Sequence, residues 1–152
     1  MILDGDGPAS ISLVSASYEF PPESDSPEWL VIHGHVSTLD GSWNLQAAIM
    51  TTGESMALGE WLLSVAAEEI PAAAGDDPTF TFLEPSLAFS VASYGPTTRL
   101  RVYLSHDCAA PWLDIDDQLR LYAYFLELTL SPAAIEASAR SWIEEIQAFP
   151  TR

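Results

Sequence analysis

Residues 29–65 read WLVIHGHVSTLDGSWNLQAAIMTTGESMALGEWLLSV, and two periodicities meet inside them. Leu30, Ile32 and Val36 alternate along Trp29–Thr38, and Trp43, Leu45, Ala47 and Ile49 alternate along Trp43–Thr51. A period of two marks strands with one buried face. Between them, Leu39-Asp40-Gly41-Ser42 supplies the Asp-Gly pair of a tight hairpin. The period then turns helical, with Leu58, Trp61, Leu62 and Val65 at i, i+3, i+4 and i+7. Thr51-Thr52-Gly53-Glu54 has the spacing of a capping box, and Pro71 stops the helix near Glu69. A hairpin running straight into an amphipathic helix points to a mixed fold.

Upstream, Ile11–Phe20 reads as a strand with Val14, Ala16, Tyr18 and Phe20 on one face. The segment Pro21-Pro22-Glu23-Ser24-Asp25-Ser26-Pro27 ends it, because proline cannot donate to a ladder. Residues 1–9 have few apolar anchors and read as frayed. Downstream, residues 71–78 form a loop between two halves. Phe80 and Phe82 alternate, Pro85 interrupts, and Leu87, Phe89 and Val91 resume. Tyr94-Gly95-Pro96 turns the chain into a strand with Leu100, Val102 and Leu104 opposite Arg99, Arg101 and Tyr103. After an irregular span, Leu119–Leu130 is apolar on both faces, the pattern of a covered central strand. Ser131-Pro132 then opens a helix on which Ile135, Ala139, Trp142, Ile143 and Ile146 share a face. Glu136 and Arg140 are spaced for an i,i+4 pair, worth about 0.3–0.5 kcal/mol. The expectation is an α+β fold in one domain over residues 1–152, ordered βββα and then three or four strands and a helix. One curved, mainly antiparallel sheet of about six to seven strands with two packed helices is the simplest form.

Charge narrows the partners. The first 98 residues hold no lysine or arginine, and the five cations are Arg99, Arg101, Arg120, Arg140 and Arg152. Against them stand 22 carboxylates, for a net charge of −17. Such a field repels nucleic acid and anionic lipid and steers basic partners inward. Apolar content of 48% with five tryptophans argues for a packed core rather than an acidic disordered chain. No uncharged apolar run reaches the roughly 18–20 residues of a membrane span. The opening residues lack a basic and apolar leader pattern, and the sole Cys108 cannot form an internal disulfide. The expected location is the cytoplasm.

Chemistry-bearing constellations are sparse. His33-Gly34-His35 puts two imidazoles on one strand face, as a metal grip would require, with His106, Asp107 or Cys108 as remote donors. The plainer reading is a polar outward row. His106-Asp107-Cys108 invites a nucleophile, but neighbours on a strand diverge and acidic surroundings disfavour a thiolate. No phosphate-binding loop, dinucleotide fingerprint, nucleophile elbow or zincin motif occurs. Glu68-Glu69 and Glu144-Glu145 read as solvated surface. Asp76-Asp77 in the central loop, and Asp114, Asp116 and Asp117 following Trp112, are the candidate partner-binding residues. An aromatic anchor with an acidic rim suits capture of a basic protein, the alternative being that Trp112 plugs the core. Arg99 and Arg101 are expected to pair with carboxylates across a sheet, Glu84 being the nearest candidate. No catalytic residue, cofactor, metal or small-molecule substrate is assigned.

Phe82-Leu83-Glu84-Pro85-Ser86-Leu87-Ala88-Phe89 forms an F-x-E-P-x-L-x-F block, followed by Leu100–Ser105, Pro111-Trp112 and the closing Phe149-Pro150-Thr151-Arg152. Together these resemble the WapI-like immunity proteins of bacterial polymorphic toxin systems, mainly over residues 80–152, with the helix around Trp61 a looser match. The resemblance implies a non-enzymatic intracellular inhibitor that binds a cognate toxin domain, the namesake's partner being a nuclease. Two further readings stay open: a metal-dependent enzyme using His33 and His35, and an acidic chaperone or adaptor for a secreted protein.

Overall fold

The structure, a computed structural model, describes residues 1–25 and 28–151. Ser26 and Pro27 of the proline-rich segment, and Arg152 of the closing motif, lie outside the described residues. The elements are β1 (Ile2–Asp4), β2 (Ser10–Tyr18), β3 (Trp29–Ser37), β4 (Ser42–Thr51), α1 (Thr52–Ala66), β5 (Phe80–Thr81), β6 (Leu87–Ser93), β7 (Thr98–Leu104), α2 (Ile115–Leu119), β8 (Phe125–Leu130) and α3 (Pro132–Ile146), with a 3-10 turn at His106–Cys108. The class is α+β, as expected. The expected single sheet is instead two antiparallel four-stranded sheets, ordered β1-β2-β3-β4 and β5-β6-β7-β8. They approach at one margin, where the Asp6 N–H donates to the Thr129 carbonyl at 2.9 Å. One hydrophobic cluster draws side chains from both sheets and from α1 and α3.

The hairpin and capping box form as the sequence dictates. Thr38 N–H donates to the Gly41 carbonyl at 2.8 Å, closing the β3–β4 turn. Thr51 caps α1, its hydroxyl accepting from Glu54 N–H while the Glu54 carboxylate accepts from Thr51 N–H. A free oxygen of Glu54 also accepts from Leu83 N–H at 2.7 Å, tying the helix start to the second half. The helix stops at Ala66, earlier than Glu69, because Glu68 turns to φ 57 ahead of Pro71. Across α1 and α3, a β-carbon at Gly59 would lie 2.4 Å from Ile143 Cγ1, so only glycine allows this approach.

Four expectations need correction. Residues 1–9 do not fray: β1 pairs with β2, Leu3 opposite Ile11, and Leu3 is fully buried. In β2 the core face is Ile11, Leu13 and Ser15, while Val14 is 52% exposed. A bulge between Ser15 and Ser17 changes the facing residue, so alternation counted back from Phe20 gives the wrong face. Leu119–Leu130 is not one strand. Asp114 accepts from Asp117 N–H at 2.9 Å and starts the short α2, Tyr122 sits at φ 61, and extended structure begins at Phe125. The resulting β8 is the end strand of its sheet rather than a central one.

Candidate functional site

None of the 22 carboxylates is buried. Apart from Asp4 of β1 and Glu127 of β8, they line loops, turns and helix surfaces, whereas the outward face of β2–β4 shows Ser12, Val14, His33, His35, Asn44 and Gln46. Strands β2–β4 themselves carry no carboxylate. His33 and His35 do share this exposed face, where His35 Nδ1 is 2.7 Å from Asn44 Oδ1. Among the described residues no group of three or more His, Cys, Asp or Glu side chains converges at ligand spacing. Cys108 is buried and its thiol is pushed up to about 12, by burial first and then by Asp107 and Glu84. At neutral pH it is a thiol, not a thiolate.

The acidic candidates fall into two places. Asp76 and Asp77 lie on the strap of residues 71–78, which crosses the outer face of the second sheet. Tyr103 donates from its hydroxyl to the Asp76 carbonyl at 2.7 Å, and Arg101 reaches Asp76 Oδ1 at 2.8 Å and the Gly75 carbonyl at 3.1 Å. Asp76 thus ties the strap to the sheet while its carboxylate, like that of Asp77, stays exposed. Arg101 also donates to Glu127 at 3.0 Å and lies 4.9 Å from the Phe125 ring centroid. Arg99 donates to the other oxygen of Glu127. Glu127, and not Glu84, is therefore the carboxylate that answers the two arginines; Glu84 accepts from the Ser86 hydroxyl.

Hydrogen bonds from Arg99 first, with Arg101 adding, hold the Glu127 carboxyl below its ordinary range despite partial burial. A depressed folded-state pKa stabilises above the unfolded value, near 4.3, and that contribution disappears as pH falls through the folded pKa. The Glu127→Gln variant is expected to lose about 1–2 kcal/mol at pH 7 and to lie closer to the parent at pH 3. Urea unfolding at both pH values measures this, and a gap that stays constant with pH contradicts it.

Trp112, Asp114, Asp116 and Asp117 occupy the second place, a corner built against the β3–β4 hairpin. The Trp112 ring meets Trp43 edge-on, centroids 5.1 Å apart, and Trp43 packs likewise against Tyr124 at 6.4 Å. Trp43 is nearly buried and donates from Nε1 to the Cys108 carbonyl at 3.2 Å. Gly41, at φ 153, lets the Trp112 ring lie on the hairpin, since a β-carbon there would stand 3.0 Å from it. Gln118 fixes the loop by donating from Nε2 to the Leu113 carbonyl at 2.9 Å. Asp40 at the hairpin tip is exposed toward this cluster, and burial first, then Asp40, raises the Tyr124 hydroxyl pKa. Trp112 remains 41% exposed, so it both packs and faces solvent.

Sequence reasoning missed part of this corner. Leu39, Ile115, Leu119 and Leu121 are all exposed, and no residue of α2 is buried. Reading 119–130 as a strand hid Leu119 and Leu121, and reading Asp40 as a turn residue hid its place beside Trp112. The signal available was Asp114 three residues before Asp117, an N-cap spacing ahead of Ile115 and Leu119 at i,i+4.

What fold and corner define is an α+β scaffold that fixes a partly exposed aromatic ring beside exposed carboxylates. The model of the immunity protein WapI-like family matches residues 1–150, well beyond the C-terminal blocks that carried the resemblance. The chain belongs to the WapI-like immunity protein family. No curated protein and no solved structure gives a match. Membership implies a toxin as the protein partner. No described helix is long and apolar enough to cross a membrane.

Proposed function

We propose that this protein is a non-enzymatic cytoplasmic inhibitor that neutralises a basic toxin domain, of the nuclease kind, through its acidic surface. The observation that carries this is the family match over residues 1–150. The charge supports the basic partner: at −17 with every carboxylate at the surface, the field draws in a cationic groove of the kind that nucleases use to hold phosphates. Inhibition then follows from occupancy, because the toxin's substrate-binding cations face carboxylates instead of nucleic acid. The candidate contacts are Trp112, Asp114, Asp116 and Asp117, with Asp76 and Asp77 on the strap.

Calorimetry for stoichiometry and stopped-flow mixing for association rates, with the toxin domain encoded immediately upstream, test this. A stoichiometric complex is expected, with association at least tenfold faster at 20 mM than at 300 mM salt, because screening shortens the steering range. Absence of a complex at low salt overturns the proposal. Equal association rates at both salts would leave the immunity role standing and remove the charge argument.

A further inference from the structure

Carboxylates steer an encounter but hold little once the partners are in contact, since exposed ion pairs are worth about 0–1 kcal/mol each. Tight neutralisation needs apolar anchors, and three exposed large apolar side chains follow Trp112 within ten residues. Ile115 is 64% exposed, Leu119 53% and Leu121 42%, beside Trp112. Ile115 and Leu119 stand at i,i+4 on α2 and therefore share a face. Leu39, 85% exposed, is carried by the hairpin whose Gly41 supports the Trp112 ring. A solvated row of leucine and isoleucine does nothing for this fold, since α2 buries no residue. Exposed apolar groups gathered within a polar rim mark a binding surface.

We infer that the α2 corner is the affinity-bearing contact, and that it takes an amphipathic segment of the toxin domain presenting apolar side chains flanked by lysine or arginine. The charge pattern selects this occupant. Asp114, Asp116 and Asp117 interleave with Ile115 and Leu119 along α2 and its cap, Asp40 precedes the Gly41 that meets Trp112, and Arg120 already pairs with Asp117 at 3.2 Å. A second copy of the chain would bring the same carboxylates against these and is repelled. A basic segment pairs with the rim while its apolar side chains cover Ile115, Leu119 and Trp112. The corner is also pre-ordered by the Asp114 cap, the Gln118 hydrogen bond and the Trp43–Trp112 contact, so little ordering is left to the moment of binding.

This inference rests on the proposed toxin-binding function, and the experiment separates the two. Surface plasmon resonance would compare the parent, the double variant Ile115→Ser/Leu119→Ser, and Val14→Ser, which removes an exposed apolar side chain from the first sheet's outer face. The melting temperature of each checks that the fold is kept. The double variant is expected to bind at least tenfold more weakly, with the loss in dissociation rate and association nearly unchanged, while Val14→Ser binds as the parent does. A folded double variant with parental dissociation overturns the inference and leaves toxin binding intact. A parent that forms no complex overturns both.

Discussion

Replacing Trp142 by alanine is expected to destabilise the fold by about 3–5 kcal/mol, the range for removing a buried tryptophan. Trp142 is fully buried on α3 and is among the largest buried side chains. Its indole Nε1–H donates to the Ser55 carbonyl at 2.7 Å, so the ring also fixes the register of α3 on α1. A β-carbon built at Gly59 opposite would stand 3.4 Å from Trp142 Cδ1, so the ring packs close against the α1 backbone. Removing the ring therefore leaves both a cavity and a buried carbonyl without its donor, and the second adds to the first. Against a total stability of about 5–15 kcal/mol this is a large fraction, and the melting temperature should fall by roughly 10 °C. Trp142→Phe keeps most of the volume and loses the donor, so it should sit between the two. Urea denaturation measures both, and a loss below about 1.5 kcal/mol for the alanine variant would show that α1 and α3 repack freely.

The parts of this fold that were legible are those decided by neighbours in sequence. The β3–β4 hairpin, the Thr51–Glu54 capping box, the Ser131-Pro132 helix start and the alternation of β7 each rest on residues within about four positions of one another. What was hidden depends on distant partners. β1 is a strand because β2 offers it an edge, and nothing within residues 1–9 announces that. The face of β2 depends on a bulge between Ser15 and Ser17, at which Ser15 N–H meets the Glu145 carboxylate at 2.5 Å from across the chain. The division into two sheets follows from where α1 and the strap send the chain, and not from any strand's own pattern.

The candidate site divides in the same way. Trp112 and the aspartates after it were visible as composition, an aromatic followed by acids. The hairpin beneath them was visible as a turn. Their meeting was not, because it depends on Gly41 accepting a ring from a residue far along the chain. Nor was the fate of Asp76, which looks like free surface charge in sequence but whose carboxylate pairs with Arg101 while its backbone carbonyl accepts from Tyr103. Acidic residues that are equal in composition thus differ in what they leave for a partner.

Trp112→Ala is expected to weaken toxin binding at least thirtyfold, about 2 kcal/mol, while lowering stability by about 1 kcal/mol. The asymmetry follows from the residue's position. Its inner edge meets Trp43, and an edge-to-face pair contributes about 0.5–1.5 kcal/mol beyond area. Its outer surface is 41% exposed, and this is the part that the proposed contact on α2 would cover. Gly41→Ala probes the same ring without removing it, because the new β-carbon at 3.0 Å, on a backbone at φ 153, shifts the indole by a few tenths of an ångström. That variant should therefore lose affinity as well, even though every side chain of the corner is still present. If Trp112→Ala binds the toxin domain as the parent does while melting lower, the indole is a plug for Trp43 and the contact lies elsewhere on the acidic surface. If binding falls far more than stability, the ring that closes this corner of the core is also the ring that the toxin meets.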